Sequence, residues 1–404
     1  MLNVGLLGLG TVGTGIVEII NERRNTITGT SGTDIRIKKI LVRNVNKTRN
    51  IDTEQLELTD NFEDILNDQE INVIVEVTGD LESSYRYITA ALNSGKHVVT
   101  ANKAVVSKYF GELSALANEK NLAFLYEASV GGGIPVLKPL KEQLELNEIT
   151  EVQGILNGTC NYILTRMINE GKDYGEVLKI AQELGYAEAD PSADVEGHDT
   201  LRKLRILATL ALQADITEED ILLDGISSIN ATDVENIRKM DSTVKLIAEA
   251  RKTDKGFTAI VQPMIVKNSN YFANVNMAFN SIAFKGNNVG ELKFYGAGAG
   301  KLPTANAVLS DVLDIALGTY RKGNPLGKED LVNLNESISG QYYLRISATN
   351  DEIRDKVEGI TREVLLDGEE LAILTEEIRL AEIHELLAGL GLSKGSYFLA
   401  KIAD

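Results

Sequence analysis

The chain is 404 residues long, 43% hydrophobic and 25% charged, the balance of an ordinary globular protein with length for two or three domains. Acidic side chains outnumber basic ones 59 to 41, and the net charge of −18 argues against a broad nucleic-acid surface. One cysteine (Cys160) excludes an intrachain disulfide, three scattered histidines (His97, His198, His384) make no zinc pattern, and no apolar run nears the ~20 residues of a membrane span.

In chain order, the first third alternates strand-like and helix-like segments. Strands are predicted at 3–7, 34–42, 72–77, 96–100 and 121–126, and helices at 12–21, 62–66, 81–93 and 110–118. A polar, glycine-containing insertion at 21–33 delays the second strand. Short, almost wholly apolar strands alternating with helices predict a parallel sheet covered on both faces. The first strand carries no basic n-region, so it reads as structure and not as a leader. A soluble, cytoplasmic protein is expected.

Between the first strand and the first helix stands Gly8-Leu9-Gly10-Thr11-Val12-Gly13. In that context each glycine has a separate task. Gly8 makes the tight turn, Gly10 lets a pyrophosphate approach, and Gly13 lets helix and strand pack closely. The helix N-terminus offers N–H groups and positive dipole to the diphosphate. An acidic residue at the end of the second strand would select NAD. Here Leu41-Val42-Arg43-Asn44 is followed by Lys47 and Arg49. Arg43 suits the 2′-phosphate of NADP, so NADP is favoured over NAD, the alternative being a solvated loop charge.

After Glu127 the texture changes. Gly131-Gly132-Gly133 leads through Pro135 into helices at 161–169, 174–184 and 199–212 and strands at 258–266, 280–285 and 291–294, an α+β pattern. A second glycine cluster, 296–300, precedes Pro303 and a helical run at 304–317. Residues 324–327, with Pro325 and Gly327, read as a linker. Segments at 342–348, 353–364, 370–375, 381–390 and 397–402 then suggest a small strand–helix–strand–helix–strand unit.

The densest chemical signal is Gly185-Tyr186-Ala187-Glu188-Ala189-Asp190-Pro191, followed by Asp194, Glu196 and the run Gly197 to Leu204. Aldehyde reduction needs a proton delivered to oxygen, and alcohol oxidation needs one removed; a lysine of lowered pKa can do both. Asp199 and Lys203, four residues apart, share one helix face. The same spacing also fits an exposed ion pair of ~0.3–0.5 kcal/mol. Carboxylates such as Glu188 suit a substrate ammonium group. Lys103, in Thr100-Ala101-Asn102-Lys103, follows the fourth strand, at the carboxyl end of a parallel sheet where ligands bind.

These motifs together resemble the homoserine dehydrogenase family from Met1 to about residue 321. The match includes Glu127-Ala128-Ser129-Val130-Gly131-Gly132-Gly133-Ile134-Pro135, Leu156-Asn157-Gly158-Thr159, and Gly298-Ala299-Gly300 with Pro303-Thr304-Ala305. The resemblance implies interconversion of L-homoserine and L-aspartate 4-semialdehyde, in threonine, methionine and isoleucine biosynthesis. Lys203 is then the proton donor and acceptor, with Lys103 a second lysine at the reacting centre. Glu188, Asp194 and Asp199 bind or orient the amino acid, with Thr159 and Tyr186 nearby. Thr11, Val12, Lys103 and Gly300 touch the cofactor. Glu127, Val130, Gly132 and Ile134 hold a monovalent cation, usually sodium.

The same resemblance implies the fold class α/β with three parts. Residues 1–127 plus 302–322 form a Rossmann domain, 128–301 an α+β substrate and dimerisation domain, and 340–404 a βαβαβ ACT-like domain. A homodimer or homotetramer is expected. The ACT-like unit departs from its family: Thr349-Asn350-Asp351-Glu352 replaces the usual Asp-x-Pro-Gly turn, and one strand is missing from the pattern. No kinase-like segment precedes the Rossmann region, which implies a monofunctional enzyme. Two rivals stand beside this reading. One is a semialdehyde dehydrogenase with Cys160 as nucleophile, a mechanism that also needs a nearby base. The other is a nucleotide-sensing regulator without catalysis.

Overall fold

The computed structural model describes residues 1–49, 51, 56–320, 326–327 and 329–403. Asn324 and Pro325 of the predicted linker, and residues 321–322 at the end of the expected Rossmann segment, lie outside them. The chain forms two compact units. The first comprises Met1–Leu146, Thr209–Thr217 and Gly296–Glu329; the second comprises Asn147–Ala208, Glu218–Tyr295 and Asp330–Asp404.

The first unit is built on six strands: β1 (Leu2–Leu7), β2 (Ile35–Leu41), β3 (Glu57–Thr59), β4 (Val73–Glu76), β5 (His97–Thr100) and β6 (Phe124–Leu125). They lie in the order β3-β2-β1-β4-β5-β6, every neighbouring pair parallel. This is the strand order of the dinucleotide-binding sheet, with its switch point between β1 and β4. Val73, Ile74 and Val75 have no exposed surface, as expected of strands covered on both faces.

Helix α1 (Thr11–Ser31) runs ten residues beyond its predicted end, through most of the supposed insertion, and stops on Gly32 in the left-handed region. Its buried residues end at Ile20. The apolar periodicity stops there while the solvated helix continues, so the pattern gave no sign of the extension. Short α2 (Glu63–Leu66) follows β3, and α3 (Leu81–Asn93) has the predicted bounds, capped by Asp80 accepting from the Ser83 N–H at 2.7 Å. Helix α4 (Lys103–Glu119) starts seven residues early, because Asn102 caps it, and bends at Tyr109, whose backbone is non-helical.

The helix Lys301–Leu317 packs on α1. A Cβ at Gly15 would lie 2.8 Å from the Lys301 carbonyl oxygen and 3.0 Å from the Ala305 Cβ, so only glycine admits this approach. Val308 and Val312 are fully buried in one core with Ile16, Val17 and Val75, each contributing roughly 1.5–3 kcal/mol.

The second unit is organised by one long mixed sheet. From edge to edge its strands are Gly290–Ala297, Phe279–Gly286, Ile149–Ile155, Ser242–Thr253, Gly256–Lys267, Tyr397–Ile402, Tyr342–Ile346, Leu371–Thr375 and Thr361–Asp367. Ser242–Thr253 and Gly256–Lys267 pair antiparallel over twelve residues as a central hairpin. The first of these, the strand Ile149–Ile155 and the helix Ala231–Lys239 were not predicted from sequence. In Ser242–Thr253 the first nine residues are all buried, so the inside–outside alternation that marks a strand is absent.

The C-terminal segment corrects the βαβαβ expectation. Residues 353–364, read as one helix, are a helix, Asp351–Glu358, and the start of a strand, Thr361–Asp367. The order is therefore βαββαβ, the split arrangement with the fourth and second strands at its edges. The overlooked strand is mostly exposed and rich in charge, which hid it. Its sheet is not separate: Tyr397–Ile402 pairs parallel with Gly256–Lys267 at Met264↔Lys401. Among the described residues no helix is long and apolar enough to cross a membrane.

Candidate active site

The first unit opens a cleft of about 800 Å³ at the carboxyl ends of β1, β2 and β4, lined by Gly8, Gly10, Thr11, Arg43, Thr78, Tyr87 and Lys301 among others. Gly8 has φ +105°, open to glycine, and Gly13 lies so close to the turn that a Cβ would meet the Gly8 carbonyl oxygen at 2.2 Å. At Gly10 nothing stands within 4 Å of where a Cβ would be, and this residue starts α1 without a side-chain cap. A diphosphate thus has open space in front of a helix N-terminus, which fits a dinucleotide. Val12 packs partly on the core, so only its backbone is suited to an anion. Gly300, with φ +126°, begins the helix Lys301–Leu317.

Arg43 stands exposed past β2 with Lys47. The Arg49 guanidinium instead ties down its own loop, donating to the carbonyls of Asn44 and Lys47, both at 2.7 Å. Hydrogen bonds from Ser83 hold the Asp80 carboxyl below its usual range, with a smaller contribution from the Arg43 charge.

Beside β4 and β5 a buried carboxylate orders the loops. Glu76 accepts from the Thr78 N–H at 2.7 Å, the Thr78 hydroxyl at 2.6 Å and the Thr100 hydroxyl at 2.7 Å. The Thr100 oxygen accepts the Asn102 N–H, and Asn102 in turn caps α4, whose first residue is half-buried Lys103. Lys103 is thereby fixed at a helix start, though it is not in the wall of the nucleotide cleft.

The acid–base cluster belongs to the second unit. Helix His198–Leu212 carries Asp199 and Lys203 on one face, with 6% and 8% of their surfaces exposed. The exposed-pair alternative is overturned by that burial. Lys203 Nζ donates to Asp199 Oδ2 and to the Leu156 carbonyl, both at 2.7 Å. Asn157 Nδ2 donates to the same Asp199 Oδ2 at 2.8 Å and to Asp194 Oδ1 at 2.7 Å. The Thr159 hydroxyl donates to the Tyr186 carbonyl at 2.6 Å, and the Tyr186 ring lies 4.8 Å from that of Tyr162. Asp194, Asp199, Lys203, Thr159 and Tyr186 are thus brought together. Glu188 is not: its side chain is exposed, and its carbonyl accepts from Gln182.

Sequence reasoning missed Asn157 as part of this cluster. The signal available was local: an asparagine before Gly158 at a helix start is a cap signal. Cys160 is fully buried beside it and its thiol donates to the Asp194 carbonyl at 3.1 Å. Burial first, then the charge of Asp194, pushes this thiol well above its usual range, the reverse of what a nucleophile needs.

Glu127 is buried and accepts the N–H groups of Val136 (2.6 Å), Leu137 and Lys138 (both 2.8 Å). Burial pushes its carboxyl up, and these bonds oppose the shift. Gly132, with φ +56°, lies where a Cβ would meet the Gly298 carbonyl oxygen at 2.3 Å. An ionised carboxylate has about four acceptor positions, and these N–H groups take three of them on Glu127.

Two family models match the chain: Homoserine dehydrogenase, NAD binding domain over residues 8–127, and Homoserine dehydrogenase over residues 135–313. The homoserine dehydrogenase of Bacillus subtilis (strain 168) is 43% identical over 350 residues, 87% of this chain and 79% of that protein. A crystal structure of a homoserine dehydrogenase from Thiobacillus denitrificans matches with a TM-score of 0.90 at 34% identity, covering 100% of this chain and 98% of that one. A hyperthermophilic archaeal homoserine dehydrogenase in complex with NADPH matches with a TM-score of 0.68 at 26% identity, over 80% of this chain and 99% of that one. With its dinucleotide sheet, fitting cleft and buried lysine–carboxylate pair, the chain belongs to the homoserine dehydrogenase family of oxidoreductases.

Proposed function

We propose that the chain interconverts L-homoserine and L-aspartate 4-semialdehyde, serving threonine, methionine and isoleucine biosynthesis in the cytoplasm. A nicotinamide cofactor bound in the cleft of the first unit would supply the hydride acceptor and donor. In oxidation, the C–H bond of the alcohol carbon gives that hydride while the hydroxyl proton passes to Lys203 Nζ; reduction runs the same transfers backwards. What carries the reading is Lys203, buried yet held by one carboxylate oxygen and one carbonyl. Asp199 and Asp194 hold and orient the amino acid, with Thr159 and Tyr186 beside them. Glu188 joins them if its exposed loop turns inward on binding. Lys103 serves as a second cation at the reacting centre.

NADP is the preferred cofactor, through Arg43, and Gly8, Gly10, Thr11, Val12, Gly13 and Gly300 shape its seat. Glu127, Val130, Gly132 and Ile134 hold sodium by oxygen donors; the buried carboxylate of Glu127 supports this. Residues 128–301 form the substrate and dimerisation part. The exposed Phe279–Tyr295 stack at 5.3 Å, beside the sheet edge, supports a homodimer or homotetramer. The C-terminal βαββαβ unit is ACT-like, its strand order supporting that reading.

The test is a coupled assay of L-homoserine oxidation with NADP and NAD, with and without threonine, on the native chain and Lys203→Ala. Loss of about 10²–10⁴-fold in kcat with cofactor binding retained is expected; normal turnover in the variant removes the assigned role.

A further inference from the structure

We infer that Asn157 is a positioning residue for the reaction: its side-chain amide bridges Asp194 and Asp199 and so fixes the carboxylate that holds the Lys203 amine. The inference rests on the acid–base reading of Lys203 above.

Asn157 is 5% exposed and every polar atom of its side chain is engaged. Oδ1 accepts the Cys160 N–H at 2.8 Å and caps the helix Gly158–Glu170. Both amide protons are spent, one on Asp194 Oδ1 and one on Asp199 Oδ2. The orientation is determined by this set, since a flipped amide would aim its oxygen at two carboxylates. The cap anchors the amide to a helix end, so the donors cannot drift.

The choice of oxygen matters. Asn157 and Lys203 donate to the same atom, Asp199 Oδ2. A neutral donor on that oxygen holds the Asp199 carboxylate in the rotamer that meets the lysine. It also lets Asp194 stand near Asp199 with a donor between two negative charges. Other ionisable groups at this place are Cys160 on the helix Gly158–Glu170 and Glu196 on the turn after Asp194, whose charge acts on that thiol together with those of Asp194, Asp199 and Lys203. A helix cap alone would need only the acceptor oxygen. The two donor contacts exceed that need.

Two variants separate the roles. Asn157→Asp and Asn157→Ser both keep an oxygen that can cap the helix. Neither keeps the double donor. In Asn157→Asp a third carboxylate faces the other two, which favours the protonated amine. The ascending limb of the pH profile for homoserine oxidation should therefore move up by about one unit. Turnover at neutral pH should fall about 10–100-fold through misplacement of the reacting groups. In Asn157→Ser, turnover should fall comparably while the limb stays at its native pH. NADPH binding, read by fluorescence, should be unchanged in both and certifies the fold.

Native turnover and an unmoved pH limb in a folded Asn157→Asp would overturn the inference. If that variant fails to fold, native turnover in Asn157→Ser does the same. Lys203→Ala run alongside keeps the two readings apart. Its normal turnover would sink the acid–base assignment itself, whereas its loss beside normal Asn157 variants would sink only the role of Asn157.

Discussion

Lys203 donates to Asp199 at 2.7 Å from within a region where each keeps less than a tenth of its surface exposed. Such a pair is held in one geometry, with little water to substitute for either partner. Replacing Asp199 with asparagine keeps the shape and removes the countercharge. A buried ammonium without its carboxylate is costly, so the amine should shed its proton more readily and lose its orientation. The expected outcome for Asp199→Asn is a fall in kcat of about 10²-fold or more, with the ascending limb of the oxidation profile at lower pH. Steady-state rates across pH check this; an unchanged profile would mean the pair is structural only.

Gly13 tests the nucleotide turn by sterics alone. An added methyl would sit 2.2 Å from a backbone oxygen, that of Gly8, which no side-chain movement can relieve. Gly13→Ala should destabilise the first unit by about 1–3 kcal/mol and weaken cofactor binding. Gly10→Ala is the control, because open space surrounds that Cβ position: it should melt close to the native chain yet bind nucleotide poorly. A melting curve and a fluorescence titration on each variant separate the two effects.

Arg43 is the sequence's candidate for choosing between cofactors. It stands in the nucleotide cleft wall and is exposed, so its removal should leave the fold intact. Arg43→Ala should weaken NADPH at least tenfold, by loss of a charge-assisted contact of about 1.5–3 kcal/mol, and leave NADH nearly untouched. Equal loss of both cofactors would return Arg43 to the solvated loop.

What the sequence disclosed and what it hid follow a physical line. The glycines at 8, 10 and 13 were legible because each answers a local steric demand that six residues state in full. Asp199 and Lys203 were legible as a pair because a helix fixes four-residue neighbours. Their burial was not legible, since it depends on residues 156 and 157, more than forty positions away. Asn157 was hidden for the same reason: its two amide contacts reach 37 and 42 residues along the chain. The strand Ser242–Thr253 escaped because burial of both faces erases alternation, and Thr361–Asp367 because exposure dilutes it.

Lys245 provides a pH-dependent prediction. It is fully buried on that same central strand, with Nζ donating to the Val275 carbonyl at 2.6 Å and to Asn161 Oδ1 at 3.1 Å. Burial lowers its pKa from the usual 10.5 to about 8. Between those values the unfolded chain binds the proton that the folded chain has released, so stability rises with pH through that window. Below about pH 8 both states hold the proton and the burial cost is carried in full. The rise amounts to roughly 3 kcal/mol at most, from the pKa difference. Lys245→Met removes the titrating group, though it leaves the Asn161 oxygen without that donor, so its absolute stability is not the diagnostic. The slope is: chemical denaturation at pH 7.5 and pH 10 should show the native chain gaining relative to Lys245→Met. Parallel curves for the two would mean that the folded amine keeps its ordinary pKa and stays charged across that range.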